Sequence, residues 1–341
     1  MKVNRRTWTL LIVAVAVIGG VYAITVWQRG RETRRLLDEL RSPDHAVAAQ
    51  AMTSLRDRVP SVRKQLMQDA AGTTGPTRWR AIELLAEVKD AASRDALMNA
   101  LQDADPTVRA SAAMSLGKRG VRGAADRIAI LAASDDELIE VRLAAIRALA
   151  MLGTATHVAE VASIATTRPA PPPEEPEEPV ETEEAEAAEE VEAPAEPEEE
   201  WSDETAELRV EAVRTIATLG ASARPEGAAT GTSPAIEAVN VLTEACSPEE
   251  HNDEVRQAAC YALTDLAELS TDGELRTLAI DALLEAADDE VGDVRIAAIH
   301  GLTLVTVPAS RSDAVAKAMA DALNDQHYWV RVAAGEEPIG G

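Results

Sequence analysis

Seven arginines recur at one place in a repeating pattern: Arg78, Arg109, Arg142, Arg209, Arg256, Arg295 and Arg331. Each directly follows the residue that opens a helical stripe. Carboxylates stand shortly before several of them, at Asp105, Glu140, Glu207, Asp253 and Asp293. A guanidinium is a planar fork of donors that matches a carboxylate or phosphate bidentately. Two chemistries fit such a row. One is a structural ladder, in which each Arg pairs with turn carboxylates or carbonyls of its own or the next repeat. The other is a grip on an anionic ligand, and the nearby acids weigh against it.

Other reactive residue types are sparse. The histidines are His45, His157, His251, His300 and His327, scattered singly with no metal-ligand spacing. Neither a Gly-rich phosphate loop nor a Gly-x-Ser-x-Gly elbow occurs. No catalytic, cofactor-binding or metal residue is therefore assigned, and no cofactor is expected. The cysteines are Cys246 and Cys260. Two cysteines make no disulfide framework. Cys260 falls where other repeats carry a small residue such as Ala113, so both read as packing residues, with one disulfide between them as the minor alternative. Tyr328-Trp329 is the one aromatic pair beyond the N-terminal segment. It reads as a cap on the exposed end of the core, or else as a partner contact.

The net charge of −26 and pI of about 4.6 argue against a nucleic-acid partner, which needs a basic face. Much of that charge is local: residues 169–200 hold fifteen Glu and no basic residue. Aromatics are only 2% and Phe is absent. A core of Ala, Leu, Val and Ile suits closely packed helices, and Ala and Leu are also the strongest helix formers.

The elements that must carry the arginines repeat along the chain. Ala96–Leu101 reads as the end of one helix, and Asp103–Pro106 as a tight turn. Pro106 fits the first position of a second helix, which is expected to stop near Gly117. In that helix Val108, Ala112 and Leu116 fall at i, i+4 and i+8, one apolar stripe. The stripe recurs as Val47, Ala51, Leu55; Thr77, Ala81, Leu85; Val141, Ala145, Leu149; Leu208, Ala212, Ile216; Val255, Ala259, Leu263; and Val294, Ala298, Leu302. A last unit opens at Val330 and Ala334, making eight.

The pattern Asp-x-x-Val-Arg-x-x-Ala-Ala-x-x-Leu-Gly, seen whole in Asp105–Gly117, resembles HEAT repeats, in the short form named after phycobilisome lyases. The likeness covers roughly residues 36–335. It implies an all-α solenoid of about eight helical hairpins, with a concave face lined by the second helices that binds other proteins. HEAT-like iron hydroxylases use His-Glu dipeptides on successive repeats. None occurs here, the nearest being Glu250-His251 in reverse order. Bilin lyases share the repeat, yet nothing here marks a bilin pocket. HEAT-like DNA glycosylases use basic, aromatic surfaces that this chain lacks.

Residues 168–204 form an acidic Pro/Glu-rich insertion expected to be disordered. It replaces the turn of the fifth repeat, dividing the solenoid into 29–167 and 205–335, with 336–341 as a tail. It reads as a solubilising bristle, or else as bait for a basic partner or divalent cations. At the N-terminus a basic tail, 1–6, precedes an uncharged run over 7–28. This run is read as a transmembrane signal anchor flanked by cations and by Trp8, Tyr22 and Trp27. A cleaved signal peptide ending at Ala23 is the competing reading. The short tail favours a repeat domain on the extracytoplasmic side, whereas Arg29, Arg31, Arg34 and Arg35 favour the reverse; the balance leans outward. Ala16/Gly20 and Gly19/Ala23 have the small-residue spacing of self-associating spans.

Together these features point to a single-pass, membrane-anchored, non-enzymatic scaffold for an unidentified protein partner. The alternatives are an enzyme or enzyme-assembly factor akin to bilin lyases or iron hydroxylases, and a self-associating envelope protein.

Overall fold

A computed structural model describes residues 5–72, 75–153, 155–167, 205–222 and 233–337. The insertion expected at 168–204 and residues 1–4 lie outside them. Among the described residues the secondary structure is helical throughout. The chain divides into two compact units, one ending at Leu152 and the other starting at Gly153.

The N-terminal unit holds α1 (Arg5–Leu40), α2 (His45–Leu55), α3 (Val59–Ala70), α4 (Thr77–Leu85), α5 (Ala91–Ala100), α6 (Pro106–Arg119), α7 (Ala125–Ala133) and α8 (Ile139–Leu152). They pair as four hairpins, α1–α2, α3–α4, α5–α6 and α7–α8. The second helices stack in the order α2, α4, α6, α8. The C-terminal unit repeats the plan with α9 (Val158–Thr166), α10 (Ala206–Ser222), α11 (Pro234–Cys246), α12 (Asp253–Leu269), α13 (Gly273–Ala286), α14 (Gly292–Leu304), α15 (Ser312–Ala322) and α16 (Tyr328–Ala333). Its second helices stack as α10, α12, α14, α16, over a first-helix layer of α9, α11, α13 and α15.

The helices start where side chains accept from the first free N–H groups. Asp44 accepts from Ala46, Asp90 from Ser93, Asp105 from Thr107, Asn252 from Val255 and Asp272 from Glu274. Each such cap contributes about 1 kcal/mol. Pro106 and Pro234 occupy first-turn positions, where a missing N–H costs nothing.

The stripes form the cores. Val108, Ala112 and Leu116, and likewise Val255, Ala259 and Leu263, are fully buried. Burying each Leu or Val contributes roughly 1.5–3 kcal/mol. Val47 departs from the pattern at 37% exposed. It lies on the first second-helix of the stack, with a neighbour on one side only.

Gly117 also departs from expectation. Helix α6 runs on to Arg119, and Gly120 caps it in the left-handed region at φ 70°. Gly117 sits inside the helix, where an added Cβ would lie 2.8 Å from Ala148 Cα of α8. Its role is close helix approach, not termination.

The N-terminal anchor is corrected. Among the described residues, no helix is long and apolar enough to cross a membrane. The side chains of 5–14 and of Ala16 lie outside the described set. Beyond Gln28 the helix carries charge. Glu32 pairs with Arg58 at 3.1 Å, and Leu36, Leu37 and Leu40 are buried in the first hairpin. Buried Arg80 donates to the carbonyls of Leu40 and Ser42, each at 2.9 Å, and ties down the end of α1. A single-pass membrane localisation, a span at 7–28 and an outward orientation are therefore not supported.

Candidate functional site

The seven repeating arginines stand at the starts of second helices, where they face the interhelix turns. In the C-terminal unit they form a continuous rail. Arg209 pairs with Glu250 of the next turn and donates to Ala165 O, at the end of its own first helix, at 3.3 Å. Arg256 donates through Nη1 to Glu250 O at 2.5 Å. Its other edge holds Asp289 bidentately, at 2.9 and 3.1 Å. Arg295 repeats this with Asp289 O at 2.7 Å and Asp325 at 2.8 and 2.9 Å. Arg331 donates to Asp325 O at 2.9 Å and closes the series on Glu336 at 2.6 Å.

In the N-terminal unit Arg78 pairs with Asp103 of the following turn. Arg109 takes Asp103 O at 2.7 Å and Glu137 at 2.6 Å. Arg142 stays within its own turn, on Ala132 O at 3.0 Å and Asp135 at 3.1 Å.

Three acids of the rail are junctions. Asp289 Oδ1 also accepts from Val291 N at 2.8 Å, Asp325 Oδ1 from His327 N at 2.6 Å and Glu250 Oε1 from Asn252 N at 3.0 Å. The carboxylate thus folds its own turn while receiving the preceding arginine. The hydrogen bond from Arg295 holds the Asp325 carboxyl below the usual range, and the same bond pushes the Arg295 guanidinium up. Guanidinium edges engaged this way face protein acceptors on both sides, which leaves little for an anionic ligand.

The partner acids are not those nearest in sequence. Asp105 instead caps α6, and the Asp253 carboxylate accepts from the Glu254 N–H. The acids that Arg78, Arg109, Arg209, Arg256 and Arg295 use, Asp103, Glu137, Glu250, Asp289 and Asp325, sit in the next repeat's turn. A sequence signal for them exists: Asp103, Glu250, Asp289 and Asp325 each precede the following ladder arginine by six residues.

At the last repeat Tyr328 is half-buried, with the Arg331 guanidinium 5.6 Å from its ring centroid. Trp329 meets it edge-on at 5.0 Å and is 56% exposed. The pair is thus divided, one ring on the rail and the other facing solvent. His45, His251 and His300 are exposed, while His157 is buried. Among the described residues no group of three His, Cys, Asp or Glu could hold a metal ion.

A second feature lies on the solvent-exposed side of the second helices. Arg214, Tyr261 and His300 occupy the same register on α10, α12 and α14, and all three are exposed. Half-buried Val210, Gln257 and Ile296 run parallel to them. Glu254, Asp265 and Glu268 of α12 are exposed nearby. The acidity is uneven between the units: residues 1–152 hold 23 Lys and Arg against 17 Asp and Glu, and residues 153–341 hold 10 against 42.

Comparison with known proteins bears on the fold. A family model of HEAT repeats matches residues 59–150 and 199–303. No curated protein matches the chain. Similar solved structures include an engineered protein, 17% identical, with 89% of this chain and 76% of the other covered at a TM-score of 0.46. Another is the CpcE–CpcF complex of phycocyanin lyase from Nostoc sp. PCC7120, 15% identical, with 84% and 92% covered at a TM-score of 0.37. A third is Kap95p in a structure with RanGDP, 14% identical, with 89% of this chain and 33% of that one covered at a TM-score of 0.46. The family match spans more than half of the sequence and includes most of the ladder repeats, so the chain belongs to the HEAT-repeat family.

Proposed function

We propose that the chain is a non-enzymatic protein-interaction scaffold, which offers the second-helix face of its C-terminal unit to a protein partner. The observation that supports this reading most is the exposed row Arg214, Tyr261, His300 on three stacked helices. Arg and Tyr are residue types that dominate binding energy at protein interfaces. Stacked repeats give such rows a fixed spacing on a firm base. The exposed acids of α12 beside the row favour a partner that brings cationic groups.

The test is a photo-crosslinking residue placed at Tyr261, with a control at Glu285, an exposed position on the first-helix layer. The scaffold reading expects a discrete adduct with another protein from position 261. It also expects that adduct to be lost on Arg214→Glu and absent from position 285. Equal or absent crosslinking at both positions overturns the assigned face. Stoichiometric iron or zinc in the purified protein would overturn the non-enzymatic reading.

A further inference from the structure

Cys246 is the last residue of α11 and Cys260 lies in the middle of α12, so the two face each other across one hairpin. Both are free thiols, and both are buried, at 3% and 0% exposed. Their Sγ atoms are 2.9 Å apart, closer than two sulfurs in simple packing contact come. Two thiols that merely filled space in an Ala-lined core would not need to converge. The segment between them holds the turn of Glu250, whose carboxylate receives Arg209 and whose carbonyl receives Arg256.

We propose that Cys246 and Cys260 are a disulfide-forming pair, which cross-links the α11–α12 hairpin when the chain meets a disulfide oxidant such as glutathione disulfide. The sulfurs need to close by only roughly 0.9 Å to reach the ~2.05 Å of a disulfide. In the first step the Cys246 thiolate attacks one sulfur of glutathione disulfide. A mixed disulfide forms and one glutathione thiolate leaves. In the second step Cys260 loses its proton and its sulfur attacks Cys246 Sγ. The intramolecular bond forms and the second glutathione leaves. The two protein thiols give up two electrons and two protons, and two glutathione thiols carry them.

Access decides when this happens. The hydrogen bond with the Cys246 sulfur, together with burial, pushes the Cys260 thiol well above the ordinary cysteine range. The closed fold therefore offers little Cys260 thiolate, and the burial of both sulfurs leaves the oxidant no path. Cys246, at a helix end beside the 247–252 turn, is the sulfur that a local opening exposes first. The bond accordingly forms during folding, or on opening of this hairpin, and is shielded from reductant once the hairpin closes.

The test uses the full chain, unfolded and refolded in a glutathione redox buffer. Its remaining thiols are then alkylated and counted by mass spectrometry. The expected result is a fall from two free thiols per chain to none, one cross-linked peptide pair containing positions 246 and 260, and no interchain dimer. The oxidised chain should melt on the order of 5 °C higher than the reduced one, since closing even a short loop removes conformational freedom from the unfolded state. Dithiothreitol under denaturing conditions should reverse the gain. Cys260→Ala, which places at 260 the residue found at the equivalent Ala113, should make the melting temperature indifferent to oxidant. Two alkylatable thiols after oxidative refolding, glutathione adducts alone, or interchain dimers alone overturn the proposal. So does a bond that forms but leaves the melting temperature unchanged or lower.

Discussion

Arg256 and Asp289 are both almost wholly buried, and their bidentate contact is a charge pair taken out of water. Removing one partner leaves an uncompensated buried charge, at a cost of roughly 3–5 kcal/mol. We expect Arg256→Met to lower the stability of the C-terminal unit by about that amount in urea unfolding. Arg256→Met combined with Asp289→Leu should recover part of the loss, because Asp289 also accepts from Val291 N. A single mutant as stable as the parent would mean that the pair is idle. Acid should act on the same rail and on one helix cap. The Asp325 carboxyl is held low by Arg295, and in the other unit the Ser93 backbone N–H and Arg63 hold Asp90 at about 2. Both folded values lie below the unfolded value of about 3.9. The unfolded state therefore binds more protons in that interval, and stability rises with pH there. The contribution is present above about pH 4–5 and disappears as pH falls through the depressed folded values. We expect the urea midpoint to drop from pH 5 to pH 2, with a shallower drop in Asp325→Asn; a midpoint that climbs on acidification would refute the assignment. The arginines were legible in the sequence because they recur in register. Their acids were not. An acid two to four residues upstream is close along the chain, but it sits at the helix start, whereas the carboxylate that the guanidinium reaches belongs to the next repeat's turn.

At the scale of elements, hairpins and stripes could be read directly, since a 3.6-residue period and turn residues are local properties. What escaped is how tightly helices meet. Gly117 looked like a stop because Gly commonly ends helices, yet it permits α6 to approach α8. We expect Gly117→Ala to destabilise by about 1–3 kcal/mol through overpacking, although Ala favours helix over Gly by roughly 1 kcal/mol. Gly123→Ala, where an added Cβ meets nothing within 4 Å, is the control and should be near neutral. Equal effects at the two sites would remove the close-approach argument. The N-terminal helix carries a different lesson. On length and flanks the uncharged run suggests an anchor, whereas its described continuation is a charged helix whose Leu36, Leu37 and Leu40 belong to the first hairpin. What holds the end of this helix lies far along the chain, at Arg80, which donates to the Leu40 carbonyl.

The whole chain carries −26, and the imbalance belongs to the C-terminal part. Like charge destabilises a compact state by self-repulsion, and salt screens exposed charges more than buried pairs. We expect the melting temperature to rise when NaCl is raised from low to physiological ionic strength, because the rail pairs are sheltered and the excess carboxylates are not. A fall with salt would show that ion pairing outweighs repulsion. A quite different property follows from the double role of Glu250, Asp289 and Asp325. Each gives its carbonyl to one arginine and its carboxylate to the previous one, and the spacing that matters is the six residues between acid and arginine. The stripes of successive repeats start at 208, 255, 294 and 330, so the repeats differ in length. The joint does not register this difference. The stack keeps step by counting turns instead of residues, and such a chain can lengthen or shorten a hairpin without losing the alignment of its neighbours.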